Sequence, residues 1–143
     1  CRTTGLAAIA AAIALAVILI DAGPTPESTR AIAVLEATDL PSALLAEFRA
    51  DDSSIVLHPL ALPTLPPSQS LELWLVLPDE RPQSMGLVTD RVQRLPLPAE
   101  LDTLPAGSVL AVSAEPSGGS PTGEPTGAIL LQGVFRPLDE IAP

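Results

Sequence analysis

The sequence predicts a mainly β protein, an antiparallel β-sandwich (Ig-like or a partly open barrel) preceded by one N-terminal transmembrane helix. Three observations lead to this fold class. An uncharged apolar run lies near the N-terminus, short apolar segments recur after it, and many of the 17 prolines in the 143-residue chain fall between those segments. Short strands separated by turn residues, with no long amphipathic helix, are typical of sandwiches and small barrels.

The apolar run covers residues 5–20 and contains no charged residue. As a helix it is about 24 Å long, a little short of the roughly 30 Å hydrocarbon core of a bilayer. We therefore expect a transmembrane helix within residues 1–20. Arg2 precedes the run and Asp21 follows it, so the positive-inside rule places the N-terminus in the cytoplasm. A signal peptide cleaved near Ala22, or a buried core helix, are the alternatives.

A juxtamembrane linker is predicted at residues 21–29, where Pro24 and Pro26 oppose regular structure. Residues 30–143 are then expected to form one extracytoplasmic domain. Residue 1 is Cys and the only methionine is Met85, so we expect that a further segment precedes Cys1.

Eight short apolar segments are predicted strands. In residues 71–77 the leucines alternate on one face, while Trp74 and Val76 lie on the other. A strand that is apolar on both faces belongs inside a sheet, so Trp74 is predicted to be a core residue. Prolines are expected between strands or near their ends, and residues 99–104 could form one helical turn. The predicted strands are residues 30–37, 42–49, 53–58, 71–77, 85–89, 92–97, 108–114 and 127–135.

Composition argues against nucleic-acid binding and against catalysis. Seventeen acidic residues against seven basic ones leave a net charge of −10, whereas nucleic-acid binders need a basic surface. One Cys and one His exclude a disulfide framework, a cysteine metal cluster and a multi-histidine site within the chain. The sequence has no Gly-x-Ser-x-Gly motif whose serine His58 could activate as a nucleophile. His58 is therefore interpreted as a polar residue at a strand end. We therefore predict a protein that is not an enzyme, with no cofactor and no metal.

The most distinctive polar segment is EPSGGSPTGEPTG, residues 115–127, which contains four glycines and three prolines between two strong strand candidates. Glycine supplies positive φ and proline limits chain freedom, so this segment is predicted to be a long hairpin loop. Loops of this length in small domains are often functional or disordered.

An ordered set of motifs then resembles a known family. Trp74 lies within LELWLV, Gly86 within SMGLV, and residues 104–120 read LPAGSVLAVSAEPSGGS, followed by PTG and an apolar last strand. This order resembles the C-terminal extracytoplasmic domain of the anti-sigma-K factor RskA family, with its preceding transmembrane helix, over about residues 6–135. The chain differs from the family pattern by an inserted Gly123-Glu124. The motif positions in this chain are Glu115, Pro116, Gly118, Gly119, Ser120, Pro125, Thr126 and Gly127.

The resemblance implies a single-pass protein of the cell membrane that regulates transcription. Its N-terminal cytoplasmic domain, which is absent from this sequence, would hold an extracytoplasmic-function sigma factor inactive. Cleavage by a site-1 protease and then by an intramembrane protease would release the sigma factor, with linker 21–29 as the natural first cleavage region. Two other classes stay open. One is a secreted or membrane-anchored β-sandwich binding module without enzymatic activity, and the other is an extracytoplasmic hydrolase that uses His58 and carboxylates.

Overall fold

The computed structural model describes residues 29–39 and 41–141. The predicted transmembrane helix, and all of the predicted linker except Thr29, lie outside these residues. Among the residues described, no helix has the length and apolar character needed to cross a membrane. The elements of the described part are β1 Thr29–Glu36, β2 Ala43–Arg49, β3 Ser54–Ala61, β4 Gln69–Val76, β5 Gln83–Leu87, β6 Gln93–Pro96, β7 Val109–Pro116, β8 Ile129–Val134, β9 Arg136–Pro137 and α1 Leu138–Ile141.

All nine strands join one continuous antiparallel sheet in the order β5-β4-β7-β8-β1-β2-β3-β6, with β9 also paired to β1. The mainly β, antiparallel prediction is confirmed. The sheet curls into a nearly closed barrel, so the barrel alternative describes the fold and the arrangement of two stacked sheets does not. The difference from a sandwich is that every strand belongs to one sheet, whose core face encloses the buried side chains, and no second sheet is present among the described residues.

The eight predicted strands are all present, with boundaries shifted by a few residues. The two-residue strand β9 and the short helix α1 were not predicted, because neither is long enough to show a periodic pattern. The predicted helical turn at residues 99–104 is wrong. In its place the Leu101 N–H donates to the Pro98 carbonyl at 2.9 Å and closes a single turn.

Pro59 departs from the expectation that prolines lie between strands or near their ends. It lies inside β3, opposite Leu44, next to a register shift between Ala43 and Leu44. The ladder between β3 and β6 ends at the pair Leu57 and Gln93. Pro59 therefore lies where β3 has lost its second neighbour, and a residue without an N–H is tolerated there.

The core fills the inside of the curled sheet, because every second residue of the long strands points inward. Each large aliphatic side chain that becomes buried contributes roughly 1.5–3 kcal/mol relative to exposure. Phe48 and Phe135 are the two aromatic members of this core cluster. The most completely buried aliphatic members are Leu35, Leu44, Ile55, Leu57, Leu73, Leu75, Leu110, Val112 and Leu131.

The two ends of the sheet, β5 and β6, follow one another in the chain, and a side chain links them. The Gln93 amide nitrogen donates to the Leu87 carbonyl at 3.0 Å, and its oxygen accepts from the Thr89 N–H at 2.8 Å. Pro96 removes a backbone donor from β6. The free edges of the curled sheet are thus short, and some of their backbone hydrogen-bonding groups are already paired or absent. Both features oppose pairing with other chains.

Candidate functional site

The family-motif loop, residues 117–128, joins the antiparallel neighbours β7 and β8, as the predicted hairpin requires. It folds over the outer face of β4 and β7. Two carboxylates lie beneath it, because Glu72 is 6% exposed and Glu115 is fully buried. Glu72 is the cross-strand partner of Ser113, and Glu115 is the partner of Ser70. Strand pairing therefore brings both carboxylates to one patch of the outer face.

Glu115 fastens the C-terminal end of the loop. Its Oε1 accepts from the Thr126 N–H at 2.9 Å and from the Gly127 N–H at 3.2 Å. The Thr126 hydroxyl donates to Oε2, and the Ser113 hydroxyl donates to Oε1 at 2.6 Å. Burial of Glu115 by itself raises its pKa, but these donors stabilise the carboxylate more strongly and lower the pKa from 4.5 to about 2.

Trp74 belongs to the same network. It is fully buried, yet it lies on the outer face of β4, outside the main core cluster, with Ala111 as its cross-strand partner. Its indole Nε1 donates to the Ser113 hydroxyl at 2.8 Å. A continuous hydrogen-bond chain thus runs from Trp74 through Ser113 to Glu115 and on to the loop backbone.

Glu72 fastens the N-terminal half of the loop. Its Oε2 accepts from the Ser120 N–H at 2.5 Å, and its Oε1 accepts from the Ser84 hydroxyl of β5 at 2.5 Å. Gly118 and Gly119 turn the chain toward Glu72 with φ of 93° and 107°. A Cβ on Gly119 would lie 3.0 Å from the Glu72 Oε2, so glycine lets the loop backbone approach the carboxylate.

The remaining motif residues complete the turns at the two ends of the loop. The Pro116 carbonyl accepts from the Gly119 N–H at 2.9 Å and closes a turn directly after β7. Gly127 lies so close to β7 that an added Cβ would be 1.6 Å from the Ala114 carbonyl oxygen. Next to it, the Ala114 N–H donates to the Ala128 carbonyl at 3.0 Å. Only glycine is compatible with this approach of two backbones.

Gly123 and Glu124, which the family resemblance implies are an insertion, form the tip of the loop. Gly123 has a φ of 78°, and the Ser120 hydroxyl donates to the Glu124 carbonyl. The Glu124 carboxylate meets the exposed guanidinium of Arg81 at 3.3 Å, which joins the tip to the turn between β4 and β5. Pro125 and these two side chains border an open cavity of about 720 Å³. This exposed ion pair contributes little stability compared with the buried network.

The structure thus brings the eight motif residues and Trp74 together. We use the name carboxylate-locked loop for residues 115–128 together with the strand residues that hold them in place. Those strand residues are Ser70, Glu72, Trp74, Ser84 and Ser113. Ser113 and the two serines at positions 70 and 84 were missed by sequence reasoning, because isolated serines carry no pattern. Glu72 had a visible signal, since it is the one charged residue inside the apolar run LELWLVL.

The chemistry of this site is that of a structural lock. Glu115 accepts hydrogen bonds on both oxygens and has a lowered pKa, so it is held as an anion, unlike a general acid. His58 lies elsewhere, on β3, where its Nε2 is 3.6 Å from a carboxylate oxygen of Glu47. In the described part of the chain, no three His, Cys, Asp or Glu side chains are grouped so that they could hold a metal ion.

Comparison with known proteins places this loop in a family context. No curated protein and no solved structure matches the chain. A family model described as anti-sigma-K factor RskA, C-terminal, matches residues 5–129, which include the apolar run, Trp74 and the whole carboxylate-locked loop. Because the match covers most of the chain, the protein belongs to the anti-sigma-K factor RskA family, of which it carries the C-terminal region.

Proposed function

We propose that this chain is the extracytoplasmic regulatory region of a membrane-anchored anti-sigma factor that holds an extracytoplasmic-function sigma factor inactive until regulated proteolysis. The observation that carries the proposal is the family match over residues 5–129, which joins the apolar run to the β domain in one family unit. The uncharged run at residues 5–20 supports the anchor, and the acidic, lysine-free composition suits a domain that does not contact nucleic acid.

The fold supports a specific order of events in this mechanism. β1 begins at Thr29, the last residue of the predicted linker, and is paired along most of its length with β2. Proteases act on chain that is free of such pairing. The strand from Thr29 to Glu36 is therefore protected while the sheet is intact, and a site-1 protease that acts next to the membrane would cut within residues 21–28. Cleavage there leaves a short stub on the membrane segment, which an intramembrane protease then cuts.

The hydrogen bonds of the carboxylate-locked loop stabilise the folded domain. Protection of β1 from proteolysis can depend on that folded state. β7 and β8 carry the loop, and β8 and β9 both pair with β1. The loop and the protected start of β1 thus belong to neighbouring strands of one sheet. A signal that disturbs the loop could reach β1 through β8 without any other connection.

The test restores the gene segment upstream of Cys1 and uses the full product as bait. We expect a cytoplasmic domain in that segment, and capture of a sigma factor in a pull-down from the native cells. Residues 1–143 alone are the matched control, and we expect them to capture none. A full-length product that captures no sigma factor contradicts the proposal. Capture of the sigma factor by residues 1–143 alone would also contradict the proposal, because the contact would then lie outside the cytoplasmic domain.

A further inference from the structure

We propose that the cavity at the end of the barrel where β1 begins is a binding site for a small amphiphile with an apolar body and a cationic group. The cavity has a volume of about 540 Å³, within the range of small-molecule sites. Its lining comes from the start of β1, the end of β2, the loop before β7, and the segment that contains β9 and α1. The mouth of a β-barrel is a common position for such sites.

The base of the cavity is formed by core residues. Both phenylalanines of the chain, Phe48 and Phe135, lie there and are 3% and 5% exposed. Strand pairing sets Ala31 of β1 between Phe48 of β2 and Pro137 of β9. Since the alanine side chain is a single methyl group, it leaves space between its two larger neighbours. The base of the cavity is therefore apolar.

Two segments form the apolar walls. Leu104 and Pro105 lie in the loop before β7, and Leu138, which is 36% exposed, begins α1. The N–H and the hydroxyl of Ser108 both donate to the Pro105 carbonyl, at 3.1 Å and 2.6 Å. The Phe135 N–H donates to the Ser108 carbonyl at 3.0 Å. These bonds hold the first wall against the base, so this part of the site is formed before any ligand binds.

Charge at the rim favours a cation. The exposed carboxylates of Asp102 and Asp139 line the cavity, and the described lining residues carry one positive charge, on Arg30. The whole chain is also acidic, with a net charge of −10, so its field attracts cations and repels anions. A fatty acid would meet net repulsion, whereas an amine pairs with a carboxylate while its apolar body covers the base. Binding of such an amine needs neither a sigma factor nor a protease, so its test is separate from the proposed function.

Three probes that share one body and differ in charge provide the first test. Phenylbutylamine is cationic, phenylbutanol is neutral and phenylbutyrate is anionic. Each is titrated into the full chain in nonionic detergent, and nuclear magnetic resonance follows the backbone amides of Ala31, Phe48 and Phe135. We expect saturable shifts there, with the amine bound at least about threefold more tightly than the alcohol and about tenfold more tightly than the acid. Shifts that do not saturate, or an acid bound as tightly as the amine, overturn the proposal.

Removal of the rim carboxylates tests the assigned charge. The double variant Asp102→Asn with Asp139→Asn keeps the shape of both side chains, so we expect it to bind the alcohol as before and to lose the preference for the amine. The matched control is Glu80→Gln with Asp90→Asn, which removes the same net charge at two exposed positions that do not line the cavity. A preference that persists in the cavity variant, or one that disappears equally in the control, overturns the proposal.

Narrowing of the mouth is the third test, and it locates the probe. Ala50 is exposed and lines the cavity, so Ala50→Leu should weaken all three probes by at least about threefold, whatever their charge. Ala99→Leu is the matched control, at an exposed position after β6 that does not line the cavity, and should bind the probes as the original chain does. Equal affinities of Ala50→Leu and Ala99→Leu would place the probe elsewhere and overturn the proposal.

Discussion

The indole nitrogen of Trp74 lies 2.8 Å from the hydroxyl oxygen of Ser113, and that hydroxyl in turn donates to Glu115 at 2.6 Å. Trp74, which the sequence predicts to be an ordinary core residue, is therefore the buried end of a chain of hydrogen bonds. The outer end of that chain is the backbone of residues 126 and 127. The only tryptophan and the backbone of the motif loop are thus joined by one hydrogen-bond network.

Replacement of Glu115 by Gln tests whether the carboxylate locks the loop. The amide keeps the size of the side chain but presents an NH₂ group to donors that need an acceptor. We expect the free energy of unfolding to fall by about 2–3 kcal/mol, as for loss of hydrogen bonds to a buried charged group. Urea denaturation followed by circular dichroism measures the loss. Glu124→Gln, in the same loop but exposed, is the control and should stay within about 0.5 kcal/mol.

Acid should destabilise the domain through the same group. The folded pKa of Glu115 is about 2, below the 4.5 of the unfolded chain, so its contribution is complete above pH 4.5 and is lost as the pH falls toward 2. A shift of this size corresponds to about 3 kcal/mol. Unfolding free energies measured from pH 6 to pH 2 should therefore fall more steeply for the original chain than for Glu115→Gln. Parallel pH profiles of the two proteins would contradict the assignment.

A double-mutant cycle tests the link between Trp74 and Ser113. Trp74→Phe removes the N–H and part of the ring volume, and Ser113→Ala removes both hydrogen bonds of the hydroxyl. We expect each single change to cost about 1–3 kcal/mol. The double variant should cost less than the sum by about 1 kcal/mol, because the two residues share one interaction. Strict additivity would mean that the contact contributes nothing to stability.

Two glycines of the loop should differ sharply when each is replaced by alanine. At Gly127 the added Cβ would lie 1.6 Å from the Ala114 carbonyl oxygen, so the loop must move away from β7. Gly123 has a φ of 78° and nothing within 4 Å, so its replacement costs only the backbone penalty of about 1–2 kcal/mol. Acrylamide quenching of Trp74 fluorescence provides the readout. We expect greater quenching in Gly127→Ala than in Gly123→Ala, and equal quenching would contradict the close approach.

The first proteolytic cut should fall before β1. When the full-length protein is activated in cells, we expect the first cut within residues 21–28, since strand pairing protects β1 from Thr29 to Glu36. N-terminal sequencing of the released fragment identifies the cut. A fragment that begins within β1 would show that the sheet opens before the first cleavage, and one that begins in a later loop would contradict the predicted site of the cut.

The sequence predicted the strands well because alternation and proline are local signals. Leu71, Leu73 and Leu75 mark a strand with one inward face, and Pro66 and Pro78 mark turns on either side of β4. Trp74 shows what these local signals cannot predict. Its apolar neighbours predict burial on both faces, but what covers the second face is decided by a loop 43 residues or more further along the chain.

The candidate site was predictable in part. The Glu-Pro and Gly-Gly pattern identified the loop, because these residues are needed for its turns. The partners on β4 and β5 were not identified, since Glu72 and Ser84 join the site only after strands pair across the sheet. The link between the end strands β5 and β6 through Gln93 was equally hidden, because one glutamine near a turn carries no periodic signal.

The proposed regulation of sigma-factor release by this domain is tested most directly in cells that carry the full-length gene and a reporter of sigma-dependent transcription. Glu115→Gln weakens the lock, whereas Glu124→Gln leaves it intact. Without stimulus, we predict higher reporter output from Glu115→Gln than from Glu124→Gln or the original protein, because a destabilised domain is cleaved prematurely. Equal output from all three, with Glu115→Gln measurably less stable, would contradict the account.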